Sequence, residues 1–246
     1  TLRNSSAASD VYKRQSDKMA KKIHISGNED DFSKALADRL YRAGAILVES
    51  SEDAEYVIHF GDESIGDMAI VTPDMETSHT GLIVVIHDLL SPEGNSIRWG
   101  DGDLHAWAKI IREETPNLDA FRNTLPRHWV HVRDVCDALS TLILSDRAKS
   151  ITGLLNISGR RSWSPESIIE EMRMLWGRYK DSLNYSHTIE SLSTVPSPVS
   201  LETKIQAQRP DLSLLHESLM GCGSEGWHPL VPMRVSLMEI FAHAKD

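Results

Sequence analysis

Apolar residues in the first 160 positions fall into short runs separated by polar turns and by stretches of helical period. Ile23 to Ser26 is the first run and predicts a strand. Phe32, Ala35, Leu36, Leu40 and Ala43 then recur every three or four positions, the spacing of a helix with one buried face. Gly44 stands where a left-handed C-cap would end that helix. Ala45 to Val48, Tyr56 to Phe60 and Met68 to Thr72 predict strands two to four. Leu82 to Ile86 predicts a fifth, nearly continuous and apolar, as a strand buried on both faces should be. Leu154 to Ile157 predicts a sixth.

Strands alternating with helices imply an α/β fold with a mostly parallel sheet. Two connections are short for that scheme. Gly61 to Asp67 separates strands three and four, and Pro73 to Gly81 separates four and five. Parallel neighbours ordinarily need a crossover of a dozen residues or more. Either these pairs are not parallel neighbours, or crossover helices are missing. The second half reads as more helical. Asp103 to Glu114 carries Trp107, Ile110 and Ile111 on one side, and Asp134 is placed to cap a helix bearing Val135, Ala138, Leu139, Leu142 and Ile143. Ser164-Pro165-Glu166 is a helix start with a serine cap, proline at the first position and an acid in the first turn. Its inner face is Ile168, Ile169, Met172, Leu175 and Trp176. Tyr185 to Gln208 reads as loop, Leu212 to Met220 as a short helix and Met233 to Ala244 as a closing one.

Composition narrows the function classes. The chain has 246 residues, 40% hydrophobic and 25% charged, and a formal net charge of −10, which argues against a nucleic-acid partner. Cys136 and Cys222 are the only cysteines, which suits a reduced, cytoplasmic chain rather than a disulfide framework. No apolar run approaches the roughly 18 residues of a membrane span. Residues 1–18 have neither apolar period nor signal-peptide core; they read as a non-native or disordered leader, with Met19 as the start.

The stretch from Lys22 to Leu36 has the layout of a dinucleotide-binding strand–turn–helix, in which three glycines let the backbone approach a pyrophosphate at a helix N-terminus. Here Gly27 keeps the first position, while Asp30 and Ser33 stand where the second and third glycines would fall. Three further segments join it. Trp129-Val130-His131-Val132-Arg133-Asp134-Val135, Gly153 to Gly159, and Gly226-Trp227-His228-Pro229 followed by Ser236-Leu237-Met238-Glu239 occur in the order seen in one family. The chain resembles the extended short-chain dehydrogenases/reductases, the NAD-dependent epimerase/dehydratase family. Val71-Thr72-Pro73-Asp74, the stretch from Arg122-Asn123 to His131, and Leu175-Trp176-Gly177 are most similar to nucleotide-sugar 4,6-dehydratases of the CDP-glucose kind.

The resemblance implies a Rossmann-like domain over residues 19–160, with some crossover helices missing, and a small helical substrate-type lobe over 161–246 interleaved with it. It implies NAD or NADP as cofactor and a nucleotide-sugar ligand. It also implies a Tyr-x-x-x-Lys pair, whose tyrosine exchanges a proton with a sugar hydroxyl. That pair is absent. Tyr12, Tyr41, Tyr56, Tyr179 and Tyr185 are followed four residues on by Ser16, Ala45, Phe60, Leu183 and Ile189. The helix that should carry it would fall between Thr72 and Leu82, where there is no room.

Vestiges of a site remain. Gly27 keeps the tight-turn role; Glu49, after strand two, could accept ribose hydroxyls; His59 and Gly61 sit where the family approaches adenine; Asp74 is the surviving candidate acid for dehydration. Each has a plainer reading: an exposed strand-end glutamate, a packed strand histidine, a loop aspartate. Glu29, Asp30 and Asp31 place carboxylates at the first helix N-terminus, where acids stabilise the helix by roughly 0.3–1 kcal/mol each. They would repel a pyrophosphate by about 1–4 kcal/mol per charge pair at ~4 Å. His128-x-x-His131 lacks the company of further metal ligands, and Cys136 falls in an apolar helical pattern that suits a core thiol.

Three functions follow from these residues. The first is a non-catalytic, shortened relative that works as a binding or assembly subunit, as a homo-oligomer or with an intact homologue covering exposed sheet surface. The second is an active NAD(P)-dependent epimerase or dehydratase with a non-standard acid/base set drawn from Asp74, His79 and His87. The third is a nucleotide-sugar binder without redox chemistry, using Arg122, Arg127 and Arg133.

Overall fold

The computed structural model of the chain describes residues 20–94, 97–114, 125–186, 188–190 and 207–243. Residues 1–18, Arg122, Asn123 and most of 185–208, where the sequence predicts a leader and a loop, lie outside the described residues. Among the described residues there are eight strands: β1 Lys22–Gly27, β2 Ile46–Leu47, β3 Tyr56–Phe60, β4 Met68–Val71, β5 Leu82–Ile86, β6 Leu89–Leu90, β7 Val130–His131 and β8 Gly153–Ile157. Among the described residues the α-helices are α1 Asp31–Arg42, α2 Gly102–Arg112, α3 Val132–Leu144, α4 Pro165–Leu183, α5 Ser213–Gly221 and α6 Met233–His243.

Six strands form one parallel sheet in the order β2-β1-β3-β4-β5-β8, and β6 pairs with β7 in a small second sheet. The order reverses between β1 and β3, so their C-terminal ends flank the topological switch point where open α/β sheets carry ligands. The predicted second strand shrinks to two residues, although Val48 N–H still donates to Ile23 C=O at 2.9 Å.

The short connections turn out to join parallel neighbours. Ile58 pairs with Met68 and Ala69 with Ile83, and residues 61–81 contain no helix outside β4. Simple reach explains it. Seven extended residues span up to about 24 Å, more than the ~16 Å length of a five-residue strand. A loop can return to the start of the next strand without a helix; what it cannot do is bring a helical layer.

Strand alternation divides the sheet into two faces. Ile23, Ile58, Phe60, Met68, Ile70, Val84, Ile86 and Leu155 face α1, α3 and α5 in the main core. The other face carries His24, Val57, His59, Ala69, Val71, Ile83, Val85, Leu154 and Asn156. Its centre is not the bare surface that missing helices would leave: His59, Ala69, Val71 and Val85 are buried. Gly66 shows how closely a loop lies on it, since a Cβ there would stand 2.7 Å from Val57 Cγ1. Thr77 Oγ1 donates to Asp62 C=O at 2.8 Å and ties the two connections together. Only toward the edge does the face open, with Leu154 55% exposed.

A second apolar core joins α2, α4 and α6 through Trp107, Ile111, Ile168, Met172, Leu237 and Phe241. The start of α3 differs from the sequence expectation. Its N-cap is His131, whose Nδ1 accepts Arg133 N–H at 3.0 Å, and Asp134 lies inside the first turn. Asp134 instead accepts the backbone N–H groups of Leu230 and Val231 at 2.8 and 3.1 Å, holding the segment that leads into α6. An imidazole nitrogen can cap as a carboxylate does, and that frees the acid for a longer-range bond.

Candidate functional site

β1 ends at Gly27 with φ +92°, and a Cβ there would collide with the carbonyl of Phe60, its register partner on β3. Glycine is required by this close approach of two backbones. Asn28 N–H donates to Phe60 C=O at 3.0 Å, so the turn stays tied to β3.

Asp30 then caps α1 in a capping box. Its Oδ1 accepts Ser33 N–H at 2.9 Å, and Ser33 Oγ accepts Asp30 N–H at 2.9 Å. The second carboxylate oxygen is bound from elsewhere in the chain: Oδ2 accepts Trp99 Nε1–H at 2.7 Å and Arg98 Nε–H at 2.8 Å. The Trp99 indole is almost fully buried. It meets Phe32 of α1 edge-on at 5.2 Å between ring centroids and Phe60 of β3 at 6.3 Å, while the Arg98 guanidinium stands 4.4 Å from the indole centroid. The two residues that replace glycines of the motif therefore cap the helix with their own side chains. A tryptophan and an arginine from about 70 positions away close over the cap.

Behind this plug sits a buried acid. Asp101 Oδ2 accepts Ser91 N–H at 3.3 Å, its Oδ1 has no partner, and His105 Nε2 is 3.8 Å away. Burial pushes the Asp101 carboxyl up to about 6, against the pull of His105 and with help from the nearby Asp31 charge. The folded pKa lies above the unfolded one. The associated stability is therefore complete below about pH 4 and is lost as pH rises through about 6. Asp101→Asn should remove a loss of up to about 3 kcal/mol between pH 4 and pH 7. Urea unfolding at pH 4, 5, 6 and 7 checks this: the variant's advantage over wild type should grow with pH.

A crevice of about 430 Å³ opens beside the plug at the switch point. Gly27, His59 and Gly61 line it together, with His24, Asp62 and Glu63; among the described residues no lysine or arginine does. His59 Nδ1 is 3.0 Å from Ser26 Oγ, and its Nε2 is 3.9 Å from Glu63 Oε2. Glu49 is exposed and does not line the crevice. Asp74 is exposed after β4 and accepts Thr72 Oγ1–H at 2.5 Å. That bond holds its carboxyl below the usual range. A carboxylate kept ionised in this way is poorly suited to act as an acid. His87 Nε2 meets Asn156 Oδ1 at 2.9 Å, and the buried His79 ring has no hydrogen-bond partner among the described residues, so no hydrogen bond links Asp74, His79 and His87. Arg127 is paired with Asp103 at 2.8 Å and Arg133 with Glu239.

His131 does more than its sequence pattern suggested. With Nδ1 accepting from Arg133, Nε2 donates to Glu239 of α6 at 3.0 Å. Burial holds this imidazole below its usual pKa although Glu239 pulls the other way. Cys136 is buried in the main core, and burial raises its thiol far out of the reactive range.

The architecture has known counterparts. RMD of Pseudomonas aeruginosa, solved with NADPH, superposes with a TM-score of 0.53 at 12% identity over 92% of this chain and 97% of that one. The shared feature is the fold, a Rossmann-like parallel sheet with flanking helices. WbmF of Bordetella bronchiseptica, solved with NAD+ and UDP, gives 0.53 at 10% identity over 92% of each chain. MlghC, a GDP-mannoheptose C4 reductase of Campylobacter jejuni with NADP bound, gives 0.55 at 11% identity over 91% and 98%. By sequence, no family model and no curated protein matches the chain. The likeness to these structures is one of fold, at 10–12% sequence identity.

Proposed function

We propose that this chain is a non-catalytic descendant of NAD(P)-dependent nucleotide-sugar epimerases and dehydratases, working as a binding or assembly subunit in nucleotide-sugar metabolism. The observation that carries this reading is the Asp30 carboxylate at the α1 N-terminus, bound by Arg98 and Trp99. A helix end attracts phosphate through free N–H groups and a positive dipole. Here the Asp30 side chain holds one of those N–H groups, and a buried indole stands over the cap. A pyrophosphate does not fit this cradle as it stands. The 72–81 connection supports the same conclusion from the side of chemistry: it carries no helix, and no Tyr-x-x-x-Lys pair exists to move the proton.

The assembly half of the reading draws support from the sheet edges, where Ile46, Leu47 and Leu154 are 47, 40 and 55% exposed. The partner would be a second copy or an intact homologue. Calorimetric titration with NAD+ and NADP+ tests the cofactor half. No saturable heat is expected up to about 1 mM, the affinity at which binding is worth only ~4 kcal/mol. Micromolar binding of either would overturn it. Light scattering tests the assembly half separately: a monomer alone and in the presence of the homologue would remove it.

A further inference from the structure

A second cavity, about 200 Å³, lies where β7, the start of α3, the turn after β8 and the segment leading into α6 converge. It shares no lining residue with the switch-point crevice. Its walls are mixed: Leu90, Trp129, Val130, Val231 and Met233 give apolar surface, and His131, Ser236 and the Asp134 carboxylate also lie on the lining. Its charge is unlike that of the rest of the molecule. In a chain of net charge −10, Arg160 and Arg161 stand together on its lining. Gly159 packs against the Trp129 carbonyl so closely that a Cβ would collide, which fixes where the two arginines leave the backbone.

The other polar groups around the cavity are already engaged. Asp134 accepts the Leu230 and Val231 N–H groups, and both ring nitrogens of His131 are bound, one by Arg133 N–H and one by Glu239. Arg161 lies over the Trp163 ring at 4.2 Å. Arg160, an exposed residue, meets a ring nitrogen of His228 at 3.2 Å, and no carboxylate among the described residues neutralises it. A cavity with apolar surface and an unneutralised guanidinium at its edge selects for a ligand of matching form: an apolar body bearing one anionic head.

We propose that this cavity binds a small amphipathic organic anion, its carboxylate held by Arg160 and its apolar body seated against Trp129 and Val231. The site is independent of whether the crevice at Gly27 binds a dinucleotide, because the two share no residue.

The test uses benzoate and hexanoate as anionic probes, with benzamide and benzamidine as neutral and cationic counterparts of benzoate, on the full chain by NMR titration. Saturable binding of at least one anion is expected, with benzamide and benzamidine weaker than benzoate by about tenfold or more if benzoate is the anion that binds. Arg160→Gln should weaken the anion about tenfold without changing the melting temperature, since the side chain is exposed. Val231→Trp should fill the cavity and abolish binding of every probe, with folding verified from the same spectra. Equal affinity for benzoate and benzamide, unchanged affinity in Arg160→Gln, or no saturable binding of either anion at about 50 mM, far weaker than a millimolar site, would each overturn the proposal.

Discussion

Trp99→Ala should destabilise the protein by about 3–5 kcal/mol, the usual cost of emptying the space of a buried aromatic side chain. The site gives no means of collapse. The indole is wedged edge-on against Phe32, and both rings stand in the main core with Phe60. Its removal also takes one donor from Asp30, leaving Arg98 and the Ser33 N–H to hold the carboxylate. Trp99→Phe separates the two contributions. It keeps an aromatic body and loses the N–H bond to a charged acceptor, worth about 1.5–3 kcal/mol. Urea unfolding of both variants checks the order. If Trp99→Ala falls within about 1 kcal/mol of wild type, the indole is not a structural plug. The same pair bears on function. Trp99→Ala alone should not restore NAD+ binding, because the Asp30 carboxylate still caps the helix. Asp30→Gly with Trp99→Ala removes both obstacles, and calorimetry on that double variant checks whether the turn then takes a dinucleotide.

The parts of the fold that could be read from the sequence are those where one local signal decides. Tyr56 to Phe60 and Leu82 to Ile86 are apolar on both faces and bounded by polar turns, and both strands fall where that pattern puts them. The Ser164-Pro165 helix start is self-contained, and α4 begins at Pro165 with Ser164 capping it. Elements resting on distant partners were not legible. β6 and β7 are two-residue strands that exist because Leu89 and Val130 meet across 41 positions. His131 caps α3 only because Asp134 is drawn away by the backbone of residues 230 and 231. The short connections left two readings open, and the second of them holds: β3, β4 and β5 are parallel neighbours whose links carry no helix.

The candidate site divides in the same way. The requirement for glycine at Gly27 and the acidic turn after it are local and were visible. His59 and Gly61 do come to the crevice with Gly27, whereas Glu49 and Asp74 do not. What the sequence concealed was the pair Arg98-Trp99. Nothing near residue 98 marks it as a partner of the first helix. The only local hint is an arginine and a tryptophan side by side in a connection that otherwise reads as loop. The acids at Glu29, Asp30 and Asp31 suggested that phosphate would be repelled. The structure puts Asp30 in the capping position of α1 and supplies the donors that make its burial tolerable, since a buried carboxylate without them would be strongly unfavourable.

Arg234→Met should cost about 3 kcal/mol of stability, and the loss should be concentrated in the second core. Glu171 of α4 is buried, and Arg234 of α6 holds it with two parallel hydrogen bonds at 2.6 and 2.9 Å. The fork geometry matches both carboxylate oxygens, and the bond to Glu171 raises the already high pKa of the guanidinium. Removing the arginine strands a carboxylate in an apolar setting, for which about 3–5 kcal/mol is typical. Arg234 is about a third exposed, and water can reach what it leaves behind, so the lower end applies. Glu171→Gln with Arg234→Met replaces the pair by uncharged groups and should recover much of the loss, because the penalty lies in the stranded charge more than in the missing attraction. Hydrogen exchange in the single variant should rise in α4 and α6 ahead of the parallel sheet, whose core is built on α1, α3 and α5 instead. Uniform loss of protection across both cores would mean that the two unfold as one cooperative unit.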